Sequence, residues 1–300
     1  MTESKIHFFD ITSVLPGASK SWSPNTLKTR MVLNFKGIPY TQSWVSYPDI
    51  EPLLKAHGVP PAKSSALPGK SPVHYTLPAI SHKGGITSNP DGLLMDSEPI
   101  AMYIDKLYPS PSLFPSGDAS YSLMVAVQKI VSLIRPSMVA LVIPNVPSGL
   151  DERGREYFIR TRTEAFGKPL SEVKPTDEAE LLALWQLIEK ETEPLVKMLK
   201  GRDGKKGPFL EGEKAGFADI ILASLLAFFE RFDRGTFEKI LVLGDGELKA
   251  LYEACLPWIE GQGRRRTGRY PSKLNTSTFS AIEVAVWDIL RRLRSETSII

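Results

Sequence analysis

The sequence predicts a small α+β domain followed by an all-α helical bundle. Three observations carry that expectation. Over the first hundred residues, strand and helix patterns follow one another as β-α-β-α-loop-β-β-α, an order that closes a small mixed sheet. Residues 108–118, Tyr-Pro-Ser-Pro-Ser-Leu-Phe-Pro-Ser-Gly-Asp, then break every pattern with three prolines and a glycine and read as a linker. Beyond them the apolar residues recur only at helical spacing. The predicted divisions are 1–108, a linker at 109–118, and 119–300.

Each element has its own reason. Residues 5–11 are a buried strand. After a loop holding Pro16 and Gly17, Ser23-Pro24 opens a helix over 25–36 that Gly37 ends. Serine suits the cap, proline the first helical position, and glycine the residue past the end. Residues 40–47 (YTQSWVSY) alternate at period two and are rich in aromatic and β-branched side chains, which makes a strand. A short helix at 49–57 stops at Gly58. Residues 59–76 are rich in Pro, Ser and Gly, and so long a loop in a compact domain marks function or motion. Short strands at 79–81 and 93–95 flank a hairpin through Gly84, Gly85 and Asn89-Pro90, and a helix covers 98–107.

In the second half, 119–140 is apolar on most faces and belongs at the bundle centre, bent at Pro136. A charged helix spans 149–167. Asp177 and Glu180 form a capping-box-like start to a helix ending at 199, with a bend at Pro194. Residues 218–232 are strongly apolar and buried. Helices at 237–243, 247–258 and 279–294 complete the set.

Three hundred residues suffice for two cores. An apolar share of 42% and a charged share of 24% describe an ordinary globular chain. Thirty-seven basic against 34 acidic residues leave a net charge of +3, too little to draw a polyanion. Arg264, Arg265, Arg266, Arg269 and Lys273, with Arg291, Arg292 and Arg294, are basic runs that read as solvated, because no nucleic-acid recognition motif accompanies them. The single cysteine, Cys255, excludes an internal disulfide and fits a reducing compartment. Its apolar surroundings make it a core residue. The start, MTESKIHFFD, lacks the basic-then-apolar layout of a leader. No apolar run reaches membrane-span length, since Gln128, Lys129, Arg135 and Pro136 interrupt 122–144. A cytoplasmic protein without a membrane partner is expected. Four histidines and one cysteine without ligand spacing predict no metal.

Three places offer chemistry. Ser23 caps a helix, and there its hydroxyl stands beside free N–H groups at the positive end of the dipole, a setting for an anion such as a thiolate. Leu77-Pro78 precedes a central strand. Proline is tolerated there as a plain strand entry, or as a cis bond that turns the Leu77 carbonyl and amide toward a peptide lying antiparallel. Asp96-Ser97 starts a helix, and either caps it or holds an amino-acid head, with Asp96 accepting from an ammonium and Ser97 donating to a carboxylate. One ligand would use all three: a tripeptide with a central thiol.

The whole chain resembles a cytosolic glutathione transferase, with a thioredoxin-like N-terminal domain, a proline linker and a helical C-terminal domain. Ser23-Pro24-Asn25-Thr26-Leu27-Lys28-Thr29-Arg30, then Val32-Leu33 and Lys36-Gly37-Ile38, is similar to the omega-like pattern, with serine where omega enzymes carry cysteine. The lengthened loop before Leu77-Pro78 and the large C-terminal domain look most like the fungal FuA class, relatives of bacterial lignin β-etherases. The resemblance implies glutathione as co-substrate and a homodimer with a detoxifying role. It gives Ser23 the glutathione sulfur and Leu77, before cis-Pro78, the cysteinyl backbone. Asp96 and Ser97 would take the γ-glutamyl end, Asn25 would lie in the same site, and Lys55 would meet the glycine carboxylate. One departure is Gly216 as the cap before Asp219, where the family puts Ser or Thr.

A free thiol ionises near pH 8.5, and lowering that by about two units, worth roughly 2.7 kcal/mol, makes the thiolate dominant near neutrality. A hydroxyl and a helix N-terminus are of the right size to do so. Serine forms no mixed disulfide, so attack on an electrophile or peroxide is expected rather than thiol transfer. A hydrophobic, aromatic second substrate is expected between the domains, against Trp22, Tyr47, Ser132 and Arg135, although Trp22 reads equally as core. Wood-derived phenolics are what the class implies. The rival is a non-catalytic ligandin-type binder of the same compounds, and a third reading is a scaffold that has lost glutathione.

Overall fold

The computed structural model describes residues 6–63 and 73–261, all within one compact unit formed by residues 1–265. The helix expected at 279–294 and the basic runs lie outside the described residues. The N-terminal chain order is β1 (Ile6–Ile11), α1 (Pro24–Phe35), β2 (Tyr40–Val45), α2 (Ile50–Ala56), β3 (Ala62–Lys63), β4 (Val73–His74), β5 (Ala79–Ser81), β6 (Leu93–Met95) and α3 (Ser97–Leu107). Four strands form one sheet in the order β2-β1-β5-β6. β1 runs parallel to β2, with Phe8 opposite Gln42, and antiparallel to β5; β5 and β6 are antiparallel. A parallel pair needs a crossover, which α1 supplies. This is the thioredoxin-like arrangement. The stretch 59–76 departs from the all-loop expectation, because β3 and β4 pair antiparallel across it. Two-residue strands carry too little pattern to be read in a sequence.

The helical part comprises α4 (Asp118–Val142), α5 (Glu152–Phe166), α6 (Glu178–Lys200), α7 (Phe217–Phe232), α8 (Arg234–Leu241) and α9 (Glu247–Glu260). α4 and α6 continue through Pro136 and Pro194, and α9 through Pro257. α7 is buried along almost its whole length. It packs against α4, α8 and α9, and against α1 of the other half. Within Asp118–Gly149 an 18-residue window reaches a mean hydropathy of 1.6, so by length and composition alone the stretch could cross a membrane, contrary to expectation. In this fold Met124, Val127, Ile134 and Met138 of that stretch are core.

Between α3 and α4 the chain is irregular, with a cis bond at Ser110-Pro111. Lys36, whose side chain is sealed from solvent, fastens this connection by donating to the Asp105 carboxylate and to the Tyr108 and Pro111 carbonyls. Asp105 also accepts from the Leu113 amide at 2.7 Å. The Leu113 carbonyl in turn receives the first amide of α7, Phe217, at 2.8 Å. This contact explains the glycine cap: a Cβ on Gly216 would stand 3.1 Å from the Leu113 oxygen. Asp219 completes the turn by accepting from the Gly216 and Leu210 amides, both at 2.8 Å.

Burial pushes the Asp219 carboxyl up to about 6. An acid held above its unfolded value binds its proton more tightly when folded, so this group's stabilising contribution is full below about pH 4 and is lost as pH rises to about 6. Asp219→Asn should therefore flatten the fall in unfolding free energy over that window. Asp219→Ala, which strips two buried donors of their acceptor, should lower stability by about 2–4 kcal/mol. Denaturant midpoints measured across the pH range check both.

Candidate functional site

Ser23 stands at the start of α1 with extended backbone (φ −68°, ψ 130°), and Pro24 takes the first helical position. Its carbonyl accepts from the Leu27 amide at 2.8 Å and the Thr26 hydroxyl at 3.3 Å. Its side chain makes no capping hydrogen bond. The residue is 5% exposed, so the hydroxyl of a largely buried serine stands at the helix entrance without being spent on the helix. Asn25 is exposed in the first turn.

Leu77 and Pro78 are buried and joined by a cis bond. The Pro78 carbonyl accepts from the Asp96 amide at 3.0 Å, which ties the entrance of β5 to the start of α3. Asp96 has φ +82°, and among the described residues it is the one non-glycine in that region. A side chain there is strained by about 1 kcal/mol or more, and such residues cluster at functional sites. Its carboxylate accepts from the Ser97 amide at 2.7 Å. The Ser97 amide is thus engaged by its own neighbour, which leaves the hydroxyl as the donor Ser97 could offer a carboxylate, and Ser97 itself is buried. A cleft of about 270 Å³ opens beside Asp96, walled by Val59, Pro60, Met95 and Pro99.

Lys55 is exposed near the end of α2, paired with Glu51 at 2.6 Å, which holds its ammonium pKa up. The ammonium also lies 5.5 Å from the centre of the Tyr75 ring, two residues before Leu77. Trp22 is 2% exposed. Its ring meets Phe232 edge-on at 5.3 Å, with Phe228 and Tyr47 each at 6.2 Å, and its indole N–H donates to the Thr12 carbonyl at 3.4 Å. Tyr47 stacks on Tyr157 at 5.9 Å and meets Phe158 at 5.6 Å. Burial lifts its hydroxyl to about 12. Of the two readings of Trp22, this geometry is that of core. Ser132 and Arg135 are exposed on α4, and the Ser132 hydroxyl is turned back onto the Lys129 carbonyl at 2.6 Å.

Sequence reasoning passed over Lys28. It is half-buried on α1, five residues beyond Ser23, and desolvation lowers its ammonium to about 8. Asp96 and Glu98 pull it up, and Arg135 pushes it down. A lysine within a helix ordinarily marks a solvated face, so no signal in the sequence sets this one apart.

Two family models match this chain: the N-terminal domain of glutathione S-transferases over residues 22–107 and the C-terminal domain over 123–258. The chain belongs to the glutathione S-transferase family. The glutathione S-transferase-like protein ustS of Aspergillus flavus is 51% identical over 271 residues, covering 90% of this chain and 96% of that one. Among solved structures, the glutathione transferase GSTFuA3 of Phanerochaete chrysosporium superposes with a TM-score of 0.72 at 31% identity, covering 86% of this transferase and 98% of its own chain. A glutathione S-transferase of Ceriporiopsis subvermispora, CsGST63524, solved with glutathione, gives 0.71 at 29% identity over 85% and 97%.

Truncation tests the placement of Trp22. Trp22→Ala should lower stability by about 3–5 kcal/mol, the usual loss for an aromatic removed from a packed core. An unfolding free energy within about 1 kcal/mol of the parent, from denaturant titration, would return the ring to the pocket wall.

Proposed function

We propose that this transferase binds glutathione along the cis-Pro78 strand entrance and activates its thiol with Ser23. The observation that carries the reading is the Ser23 hydroxyl, on a largely buried residue at the α1 N-terminus and uncommitted to capping. Donated to sulfur, it favours the thiolate, and the unpaired amides of the first turn add their dipole. Leu77 pairs its backbone with the cysteinyl residue, Asp96 receives the γ-glutamyl ammonium, and the Ser97 hydroxyl receives the carboxylate. Asn25 borders the sulfur, and Lys55 takes the glycine carboxylate by exchanging Glu51 for it. The glutathione-binding half is 1–108 and the helical half follows the 109–118 linker.

The thiolate then attacks an aromatic electrophile or a peroxide brought in beside α4. Because serine offers no sulfur for a mixed disulfide, glutathione is conjugated or oxidised rather than passed through the enzyme. We place the protein in the cytoplasm as a homodimer. Support for the dimer comes from large apolar side chains left exposed on α3 and α4: Met102 at 43%, Val125 at 46% and Leu133 at 53%.

Ser23→Ala should lower kcat/KM by about 10- to 100-fold, the range of one charge-directed hydrogen bond, and move the thiolate absorbance midpoint of bound glutathione upward by one to two pH units. Ser97→Ala should weaken glutathione binding by about tenfold, near 1.4 kcal/mol, by calorimetry. Unchanged turnover in the first variant removes Ser23 from the chemistry. No heat with glutathione removes the site.

A further inference from the structure

The cleft of about 270 Å³ beside Asp96 follows a strand rather than the path expected for the tripeptide. Leu93, Leu94, Met95 and Asp96 line it in succession, together with Pro60 and Ala62 from the stretch after α2. Leu77, Pro78 and Ser97 are not among its walls. Apart from Asp96, these six side chains are apolar. The strand is β6, the outer one in the sheet order β2-β1-β5-β6. Such an edge carries main-chain groups with no neighbouring strand to pair with.

Two hydrogen bonds fix which groups those are. The Asp96 amide donates to the Pro78 carbonyl at 3.0 Å, and the His82 amide to the Gly92 carbonyl at 2.8 Å. In an antiparallel ladder the bonded pairs come at every second residue. Leu94 therefore bonds to β5, while Leu93 and Met95 turn their N–H and C=O away from it. Both groups of Leu93 are taken by the Asn89 side chain, at 2.8 and 2.6 Å. Among the described residues no hydrogen bond engages those of Met95. Main-chain groups on a residue only 7% exposed ordinarily have a partner, and the cleft is where one would enter.

We propose that the cleft receives an apolar acyl or aminoacyl extension on the γ-glutamyl nitrogen, so that the thiols used by this transferase include peptides longer than glutathione at their amino end. The inference rests on the glutathione reading for the place of that nitrogen. There Asp96 receives the γ-glutamyl ammonium, glutathione ends at this atom, and the cleft lies beyond it. An acylated nitrogen keeps one N–H for the Asp96 carboxylate. Its chain then runs along β6, where an added peptide unit pairs with Met95 as a further strand does. Apolar carbons beyond it lie against Pro60, Ala62 and Leu94 and leave water.

Calorimetry under reducing conditions compares glutathione, N-acetylglutathione and N-hexanoylglutathione. The two acylated thiols have lost the same ammonium and differ by four methylenes, each worth about fourfold in affinity when fully buried. The hexanoyl compound should bind at least tenfold more tightly than the acetyl compound. Ala62→Phe, which fills the cleft, and Leu94→Asp, which sets a charge in it, should bring the two within about twofold of each other. Both variants should keep the affinity for glutathione itself. A parent protein that binds the two acylated thiols alike overturns the inference. So does a gain that survives in both variants, since the chain then lies elsewhere. If glutathione gives no heat, the glutathione reading falls and this inference with it. If glutathione binds and the chain-length gain is missing, this inference alone falls.

Discussion

Helix α1 is held from every side, and the candidate site follows from that. It packs on β1 and α3 of its own domain and on α7 and α9 of the helical half. Thr26, Leu27, Thr29, Arg30, Met31, Val32 and Leu33 are all buried. A helix so enclosed cannot slide or tilt without opening the core on both sides, and close-packed interiors resist such movement. Its first turn is therefore a fixed point in space, and Ser23 is fixed with it. Polar contacts reinforce the placement. The buried Asp10 carboxylate, pushed up by desolvation, accepts from the Ser21 hydroxyl at 2.6 Å just ahead of the helix. Gln42 donates to the same carboxylate and accepts from Arg30 at 3.2 Å. Such a network is worth little in net stability, but removing one partner strands the rest.

The joint between the halves is built from large rings and a few polar links. Trp22, Tyr47, Tyr157, Phe158, Phe228 and Phe232 come from both halves and touch in sequence. Around them, Ser46 donates to Asp151 at 2.7 Å, and Arg153 reaches Asp49 at 2.6 Å. Asn34, near the end of α1, donates to the Trp258 carbonyl at 2.6 Å. Aromatic area supplies most of the attachment and the polar contacts supply its register. The same economy explains why the tryptophan beside Ser23 faces inward: the ring is more useful as mortar than as a wall.

Much of the fold was legible because it rests on local rules. Ser23-Pro24 and Gly37 bracket α1, period-two alternation marks β2, and Asp177 caps α6 through the Glu180 amide at 3.0 Å. The helices through Pro136, Pro194 and Pro257 were expected from their apolar spacing, whereas the ribbon of β3 and β4 depends on packing that no window of sequence contains. In the site, the turn at Asp96-Ser97 was legible from residue type, while residue type left the Pro78 bond open between cis and a plain strand entry, and the family resemblance supplied the cis reading that the structure has. The backbone of Asp96, strained at φ +82°, was not, since aspartate rarely takes that conformation. Nor was the half-buried setting of Lys28 on α1, which desolvates its ammonium. Charge patterns along a chain say where water is expected. They do not say which neighbour will exclude it.

The fastening of the connection by Lys36 has a further meaning. A single ammonium grips Asp105 and two successive stretches of backbone, while Leu113 is stitched to the head of α7. A tether held at both ends is a rivet and not a hinge. The two halves of this protein have no ready axis about which to clasp an arriving molecule, so discrimination falls to the side chains standing at the rim, and a change of diet would be written there, one residue at a time, with the frame left as it is.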